Sequence, residues 1–276
     1  MTSTTSKRPY AEVIGDPINQ SKSPVIHGFW LDKLGIDADY KIAHIKPEQL
    51  VDYITSRRED PDWQGCNVTI PHKLAVLDLV DDPGGVKDSI GAMNTIIRGE
   101  DGKLIGTNTD AGGFYTPLSN SDLAGADICV IGNGGAARAI LFALSRLDVD
   151  DVYIMARNPL KSIGLLSQFG LKGGCVQMDA EVPPVQLLVN ASPLGMKGAK
   201  ETLDIDLTPL PDGAIVYDIV YNPLITPLLE QAKSRGLNVI DGLGMLIGQA
   251  DLAFELFFGK PAPRKYDKEL RKLLAK

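Results

Sequence analysis

Cysteine is scarce: Cys66, Cys129 and Cys175 are the only three in 276 residues, with no Cys-x-x-Cys and no Cys/His spacing. That excludes a disulfide framework and a structural zinc site, and points to a reducing compartment. Histidine stands only at positions 27, 44 and 72, so no metal is expected. No apolar run approaches the roughly 18 residues of a membrane span, and Met1 to Pro9 is polar, without the apolar stretch of a secretory leader. The expectation is a cytoplasmic protein. Positive charge is also in deficit: 28 Lys and Arg against 35 Asp and Glu leave −7. A basic footprint for nucleic acid or an anionic membrane is thereby excluded, and a small molecule becomes the expected partner.

What is plentiful is glycine, 28 residues or roughly 10% against an average near 7%. More positions than usual therefore need positive φ or close backbone approach. Hydrophobic residues make up 44% and charged residues 23%, values of an ordinary globular chain. The length exceeds what one hydrophobic core usually serves, so two domains are expected.

Short apolar segments alternate with helical ones: AEVIG, SPVIHGFWLDKLG, DYKIAHI, EQLVDYITSRRED, QGCNVTI, a helix after Pro71, then NTIIR. This is the order of an α/β sheet. Ser23 before Pro24 reads as a helix N-cap with Pro at the first position and Gly35 closing the far end. Near Thr107 to Leu118 a boundary is expected. A second series then runs through ICVIG, VYIMARN, QLLVNAS, AIVYDIV and NVIDG, as in a doubly wound sheet. Two helical candidates close the chain, LGMLIGQADLAFELFFGKP and DKELRKLLAK; periodicity does not say on which domain they pack.

Gly132-Asn133-Gly134-Gly135-Ala136-Ala137 follows a strand and opens a helix, the context of a Rossmann-type dinucleotide fingerprint. Gly132 permits the tight turn, Gly134 lets a pyrophosphate approach, and Ala137 allows close packing of helix on strand. The bland alternative is an ordinary glycine-rich turn. The next strand ends in Ala156-Arg157-Asn158-Pro159-Leu160-Lys161, with Asp150 and Asp151 at its opposite end. A basic loop where an acidic residue would hold a ribose hydroxyl favours a 2′-phosphate, hence NADP(H) over NAD(H); otherwise Arg157 and Lys161 are solvated surface cations.

Small polar residues collect in the first half, in Ser21-Lys22-Ser23-Pro24, Asn67-Val68-Thr69-Ile70-Pro71-His72-Lys73, Gly91-Ala92-Met93-Asn94-Thr95 and Asn108-Thr109-Asp110. Asn67 and Thr69 share one face of an extended segment, Pro71 stops it, and Lys73 opens the expected helix. Reduction of a ketone needs a proton for the oxygen as hydride reaches the carbon, and a lysine held by an aspartate is a sufficient donor.

Taken in order, GDPINQSKSP, NVTIPHK, GAMNT, NTDAGG, GNGGAAR, NASPLGM and DGLGMLIGQA make the chain resemble the shikimate dehydrogenase family over nearly its whole length. The resemblance implies an N-terminal α/β substrate-binding catalytic domain, 1–110, and a Rossmann NADP-binding domain, 111–243. Helices in 244–276 return to the first domain, and the site lies in the cleft between the two. It implies Lys73 and Asp110 as the catalytic pair, and Ser21, Ser23, Asn67, Thr69, Asn94, Asp110, Tyr221 and Gln249 toward the substrate. Toward the cofactor it implies Gly132, Asn133, Gly134, Gly135 and Ala136 for the phosphates, and Ala156, Arg157, Asn158 and Lys161 for the adenosine end. Asn190, Ala191, Ser192, Ile219, Gly242 and Met245 fall to the nicotinamide side. Many members carry Asn where Ala156 stands. The implied activity is reversible NADPH-dependent reduction of 3-dehydroshikimate to shikimate, in chorismate and aromatic amino-acid biosynthesis, by a monomer or homodimer. Its rivals are a quinate-using or NAD-using relative and a catalytically silent NADP-binding regulator on the same fold. His27, His44 and His72 read as structural, Met245 equally as helix core, and Lys73 with Asp110, by composition alone, as a surface ion pair. Gly112-Gly113 is a candidate hinge or a site of tight packing.

Overall fold

The first sheet runs β2-β1-β3-β4-β5, built from β1 (Tyr10–Gly15), β2 (Asp39–His44), β3 (Trp63–Val68), β4 (Thr95–Arg98) and β5 (Leu104–Thr107) in a computed structural model that describes residues 8–99, 101–199 and 201–275. β1 pairs in parallel with both neighbours, whereas β4 and β5 run antiparallel. Parallel neighbours need crossovers, and α1 (Ser23–Leu34) and α2 (Leu50–Arg58) supply them, with α3 (Val86–Ser89) a single turn before β4. The chain divides into two compact units, one through Thr109 and again from Ala250, the other Asp110 to Gln249. The division thus falls after 109 and 249, where the sequence reading drew it after 110 and 243.

β1 places a charge in this unit's core. Glu12 is buried between Ala11 and Val13, and its Oε1 accepts the Tyr53 hydroxyl at 2.7 Å, Arg57 Nε at 2.7 Å and Trp63 Nε1 at 2.9 Å. Three donors from α2 and β3 meet the requirement that a buried carboxylate be paired and hydrogen-bonded.

The second unit opens with α4 (Asp110–Tyr115). It then alternates β6 (Ile128–Ile131), α5 (Gly135–Leu144), β7 (Asp151–Met155), α6 (Pro159–Phe169), β8 (Lys172–Val176), β9 (Leu187–Asn190), β10 (Ile215–Asp218), α7 (Pro227–Ser234) and β11 (Asn238–Ile240). All six strands are parallel in the order β11-β10-β9-β6-β7-β8. This is the doubly wound Rossmann order, and its switch point, where ligands bind in such sheets, lies between β6 and β9. The central strands β6 and β9 are fully buried, as parallel sheets require. α8 (Gly242–Phe258) spans the second division, and α9 (Asp267–Leu274) follows in the first unit. Ala253 and Phe257 of α8 pack on Ala11 of β1.

The structure corrects four local expectations. No α-helix opens at Pro71 or Lys73: the chain makes turns and a short 3-10 segment at Ala75–Asp78, and the Lys73 carbonyl accepts the Met93 N–H at 2.8 Å rather than continuing a helix. The N-cap of α1 is Lys22, not Ser23, because the Lys22 carbonyl already accepts the N–H groups of Val25 and Ile26; Gly35 closes that helix at φ +61° as expected. β5 and β8 are strands that the alternation did not reveal. Gly173 and Gly174 dilute the pattern in β8, and β5 is four residues long.

Candidate functional site

In the first unit the polar motifs meet at the C-terminal ends of β1 and β3. The Ser21 hydroxyl accepts the Ser23 N–H at 3.3 Å, and the intervening Lys22 donates its ammonium to the Leu274 carbonyl in the last turn of α9. Cations are favoured there by the helix dipole, so the serine turn is moored. Thr69 N–H donates to Ile14 O at 3.0 Å and Asp16 N–H to Ile70 O at 3.0 Å, tying the two loops together. His72 is buried with Nε2 at 2.6 Å from Ile45 O, which fixes the turn that carries Lys73 from one side while Met93 fixes it from the other.

Beside them lies a buried network. Asn67 Oδ1 accepts the Tyr40 hydroxyl at 2.6 Å, and its Nδ2 donates to Thr95 Oγ1 at 3.1 Å. Asn94 Oδ1 accepts the Thr109 N–H at 2.7 Å and the Thr95 hydroxyl at 3.0 Å, and its Nδ2 donates to Thr109 Oγ1 at 2.9 Å. The network locks the rotamers of Asn67 and Asn94. Tyr40, Thr95 and Thr109 are members that sequence reasoning did not assign. Thr95 and Thr109 lie inside quoted motifs, whereas Tyr40 carries no local signal. Tyr40 is itself stacked on His27, ring centroids 3.9 Å apart and planes within 2°. His27 is buried with no hydrogen-bond partner for either nitrogen, and burial holds its pKa down at about 3. It is a neutral packing group. His44 pairs with Asp16 at 2.6 Å.

In the second unit the glycine-rich turn sits at the switch point. Gly132 has φ +106°, and a Cβ there would lie 3.3 Å from the Ala191 backbone and from Ser192 N. At Gly134, the N-cap of α5, a Cβ would meet nothing within 4 Å, and no side chain caps the helix. Open space beside uncapped N–H groups is what a pyrophosphate requires, so the turn fits a dinucleotide. Asn133 Nδ2 donates to Ser162 Oγ at 3.2 Å and Asn158 O at 3.3 Å, while Asn158 Oδ1 accepts the Lys161 N–H at 3.1 Å as the N-cap of α6. Arg157 and Lys161 are exposed, with the Arg157 guanidinium 3.7 Å from Glu201. Ala156 is buried at the end of β7.

Asn190 ends β9, Ala191 and Ser192 lie in the turn after it, and Ile219 follows β10. Gly242 opens α8 against that strand end: a Cβ on it would come 2.4 Å from Ile219 O. Met245 is buried in the core cluster. Gly113 needs no hinge role to explain it: a Cβ would fall 2.6 Å from Gln249 N, so α4 and α8 cross there backbone to backbone. Gln249 Nε2 donates to Leu246 O at 2.9 Å, Asp110 is buried at the start of α4, and Tyr221 is half-buried after β10.

Comparison with known proteins bears on this pair of sites. Residues 13–96 match the family model described as the shikimate dehydrogenase substrate binding domain, and residues 242–270 match the shikimate 5'-dehydrogenase C-terminal domain. The chain is 65% identical over 266 residues to the shikimate dehydrogenase (NADP(+)) of Sphingopyxis alaskensis, covering 96% of this chain and 97% of that one. The chain belongs to the shikimate dehydrogenase family. The Methylobacterium radiotolerans shikimate dehydrogenase (NADP(+)) is 42% identical, with 93% of each chain covered. Among solved structures, the shikimate 5-dehydrogenase of Thermus thermophilus in complex with NADP(H) and shikimate is 33% identical. It superposes with a TM-score of 0.85 over 96% of this chain and 99% of that chain. As a family member, the chain is an oxidoreductase with a Rossmann-type second domain. Among the described residues, no helix is long and apolar enough to cross a membrane and no group of His, Cys, Asp and Glu is arranged to hold a metal.

Proposed function

We propose that the chain catalyses the reversible NADPH-dependent reduction of 3-dehydroshikimate to shikimate. The first unit binds the substrate and the second the nucleotide. The observation that carries this reading is the pairing, in one chain, of an uncapped glycine turn at a Rossmann switch point with a preorganised set of neutral polar groups around a moored lysine. The 65% identity to a shikimate dehydrogenase (NADP(+)) supports it.

NADP(H), when bound, supplies or accepts the hydride. Lys73 gives the proton that the carbonyl oxygen takes up as it becomes a hydroxyl, and Asp110 is the second catalytic group. The Ser21 and Ser23 hydroxyls hold the substrate carboxylate, with Tyr221 at the same end. Thr69, Asn94 and Gln249 reach the ring hydroxyls, and Asn67 holds Asn94 through Thr95. Neutral donors and acceptors give this selectivity because each buried polar group left unmatched by a wrong ligand costs about 1–3 kcal/mol. Gly132 through Ala136 cradle the phosphates. Ala156, Arg157, Asn158 and Lys161 form the 2′-phosphate corner, where two cations favour NADP(H). Asn190, Ala191, Ser192, Ile219, Gly242 and Met245 line the nicotinamide side. Cys66 and Cys129 are buried free thiols, in line with a cytoplasmic enzyme, as monomer or homodimer.

The test is reduction of NADP+ and NAD+ with shikimate and quinate side by side. Shikimate with NADP+ gives the highest kcat/KM; a higher value for quinate or for NAD+, or no turnover with shikimate, overturns the reading.

A further inference from the structure

The C-terminal ends of β9 and β10 hold a fully buried carboxylate to which the reaction above gives no part. Asp218 ends β10 with no exposed surface. Its Oδ1 accepts Asn190 Nδ2 at 2.9 Å and the Val220 N–H at 3.0 Å, and its Oδ2 accepts the Thr226 hydroxyl at 2.6 Å. The three donors come from two separate segments. Asn190 ends β9, and its own Oδ1 accepts the Ser192 hydroxyl at 2.7 Å and N–H at 3.1 Å while its Nδ2 also donates to Leu194 O at 3.1 Å. Val220 lies between Ile219 and Tyr221. Thr226 closes the same segment as the N-cap of α7, where its Oγ1 accepts the Leu229 N–H at 3.4 Å. The turn at 190–194 and both ends of 219–226 therefore converge on one side chain.

Strand pairing already joins β9 to β10 through Asp218 and Asn190, so the sheet does not need this carboxylate. Burying one costs free energy that a neutral side chain would save. What the carboxylate adds is simultaneous acceptance from three directions, two of them from groups, Val220 and Thr226, where the chain has left the sheet. We propose that Asp218 is a positioning residue: by clamping 190–194 to 219–226 it sets Asn190, Ser192 and Ile219 in the arrangement that receives the nicotinamide end of the nucleotide. The identity of that ligand rests on the proposed function; the clamp does not.

Two readouts test it, one of them free of ligand. Asp218→Ala raises amide hydrogen exchange across 190–194 and 219–226 together in the ligand-free protein, while β6 and β7 stay protected. Asp218→Asn keeps both contacts at Oδ1 and lets the Thr226 hydroxyl reverse its role, so protection returns to within about threefold of wild type. In calorimetric titration Asp218→Ala weakens NADP+ about tenfold or more, Asp218→Asn restores it, and KM for NADP+ rises by a larger factor than kcat falls. Wild-type exchange in either segment of the Ala variant, unchanged NADP+ affinity, or an Asn variant as weak as the Ala variant overturns the proposal. Should the Ala variant not fold, Thr226→Val removes one arm of the clamp. It then raises exchange in 219–226 and weakens NADP+, and unchanged values overturn the proposal. A wild-type protein that fails to bind NADP+ sinks the cofactor assignment, while the exchange measurement still decides the clamp.

Discussion

Gly132 turns beneath the backbone of Ala191, so closely that a Cβ would lie 3.3 Å from the Ala191 carbonyl and from Ser192 N, and does so at φ +106°. Two residues on, Gly134 has open space where its Cβ would be. The two glycines therefore answer different demands. Gly132→Ala costs about 1–2 kcal/mol of stability from backbone conformation alone, whereas Gly134→Ala leaves stability within about 0.5 kcal/mol. Both weaken NADP+, Gly134→Ala because its methyl occupies the space offered to phosphate. Chemical denaturation beside NADP+ titration separates the two effects; an NADP+ affinity unchanged in Gly134→Ala would remove that glycine from the cofactor site.

Lys73→Met lowers kcat by about 10² to 10⁴, with KM for shikimate moving far less. The backbone of Lys73 is held through its carbonyl by Met93, so the turn survives the substitution. Steady-state kinetics over a shikimate series checks this. Near-normal kcat would take Lys73 out of the chemistry.

On the proposed function, charge reversal at Arg157 discriminates between nucleotides. Arg157→Glu puts a second carboxylate beside Glu201, 3.7 Å from the present guanidinium, and it weakens NADP+ about tenfold or more while NAD+ changes little. The loss shrinks in high salt, since the side chain is exposed. Equal weakening of both nucleotides would place Arg157 elsewhere.

Two buried groups oppose one another in acid. Burial holds Asp218 up at about 6 despite its hydrogen bonds, above an ordinary 3.8, so its contribution to stability is full below about 4 and is lost as pH rises through about 6. His27, pushed by burial from 6.5 to about 3, contributes stability above about 6.5 that is lost as pH falls toward 3. Between about pH 4 and 6 the slopes have opposite sign, each approaching about 1.4 kcal/mol per pH unit. Asp218→Asn therefore makes stability rise with pH relative to wild type in that window, and His27→Phe, which keeps the stack on Tyr40, makes it fall. Urea denaturation at pH 4.5, 5.5 and 6.5 reads both signs, and parallel curves for all three proteins would contradict the assignment.

Much of this was legible in the sequence because its signals are local. The alternation of strand and helix gave the class, and Gly132-Asn133-Gly134 marked its own turn, since the steric demand falls on the residues that show it. Gly113 reads as hinge or packing from the sequence, and the packing demand comes from Gln249, whose N would lie 2.6 Å from a Cβ at Gly113. Where reading failed, distant groups had intervened. The turn after Pro71 is not a helix because Met93, twenty residues on, takes the Lys73 carbonyl. The network that locks Asn67 reaches Tyr40 and Thr95 across separations of 27 and 28 residues, and nothing in DYKIAHI marks a tyrosine that serves a distant asparagine. Asp218 likewise carries no local signal, because the donors that define it come from Asn190, Val220 and Thr226.

Glu12 governs more than a local charge. In a central strand that is otherwise apolar and paired on both sides, a slip by one residue would swing every side chain to the opposite face, and the carboxylate would leave Tyr53, Arg57 and Trp63 behind. An unpaired buried charge costs several kcal/mol, so the alignment of β1 against β2 and β3 is chosen by penalty as well as by fit. The loop that carries Ser21 and leads to Ser23 at the start of α1 emerges from that strand. The placing of that loop is therefore indexed by a glutamate in the strand before it.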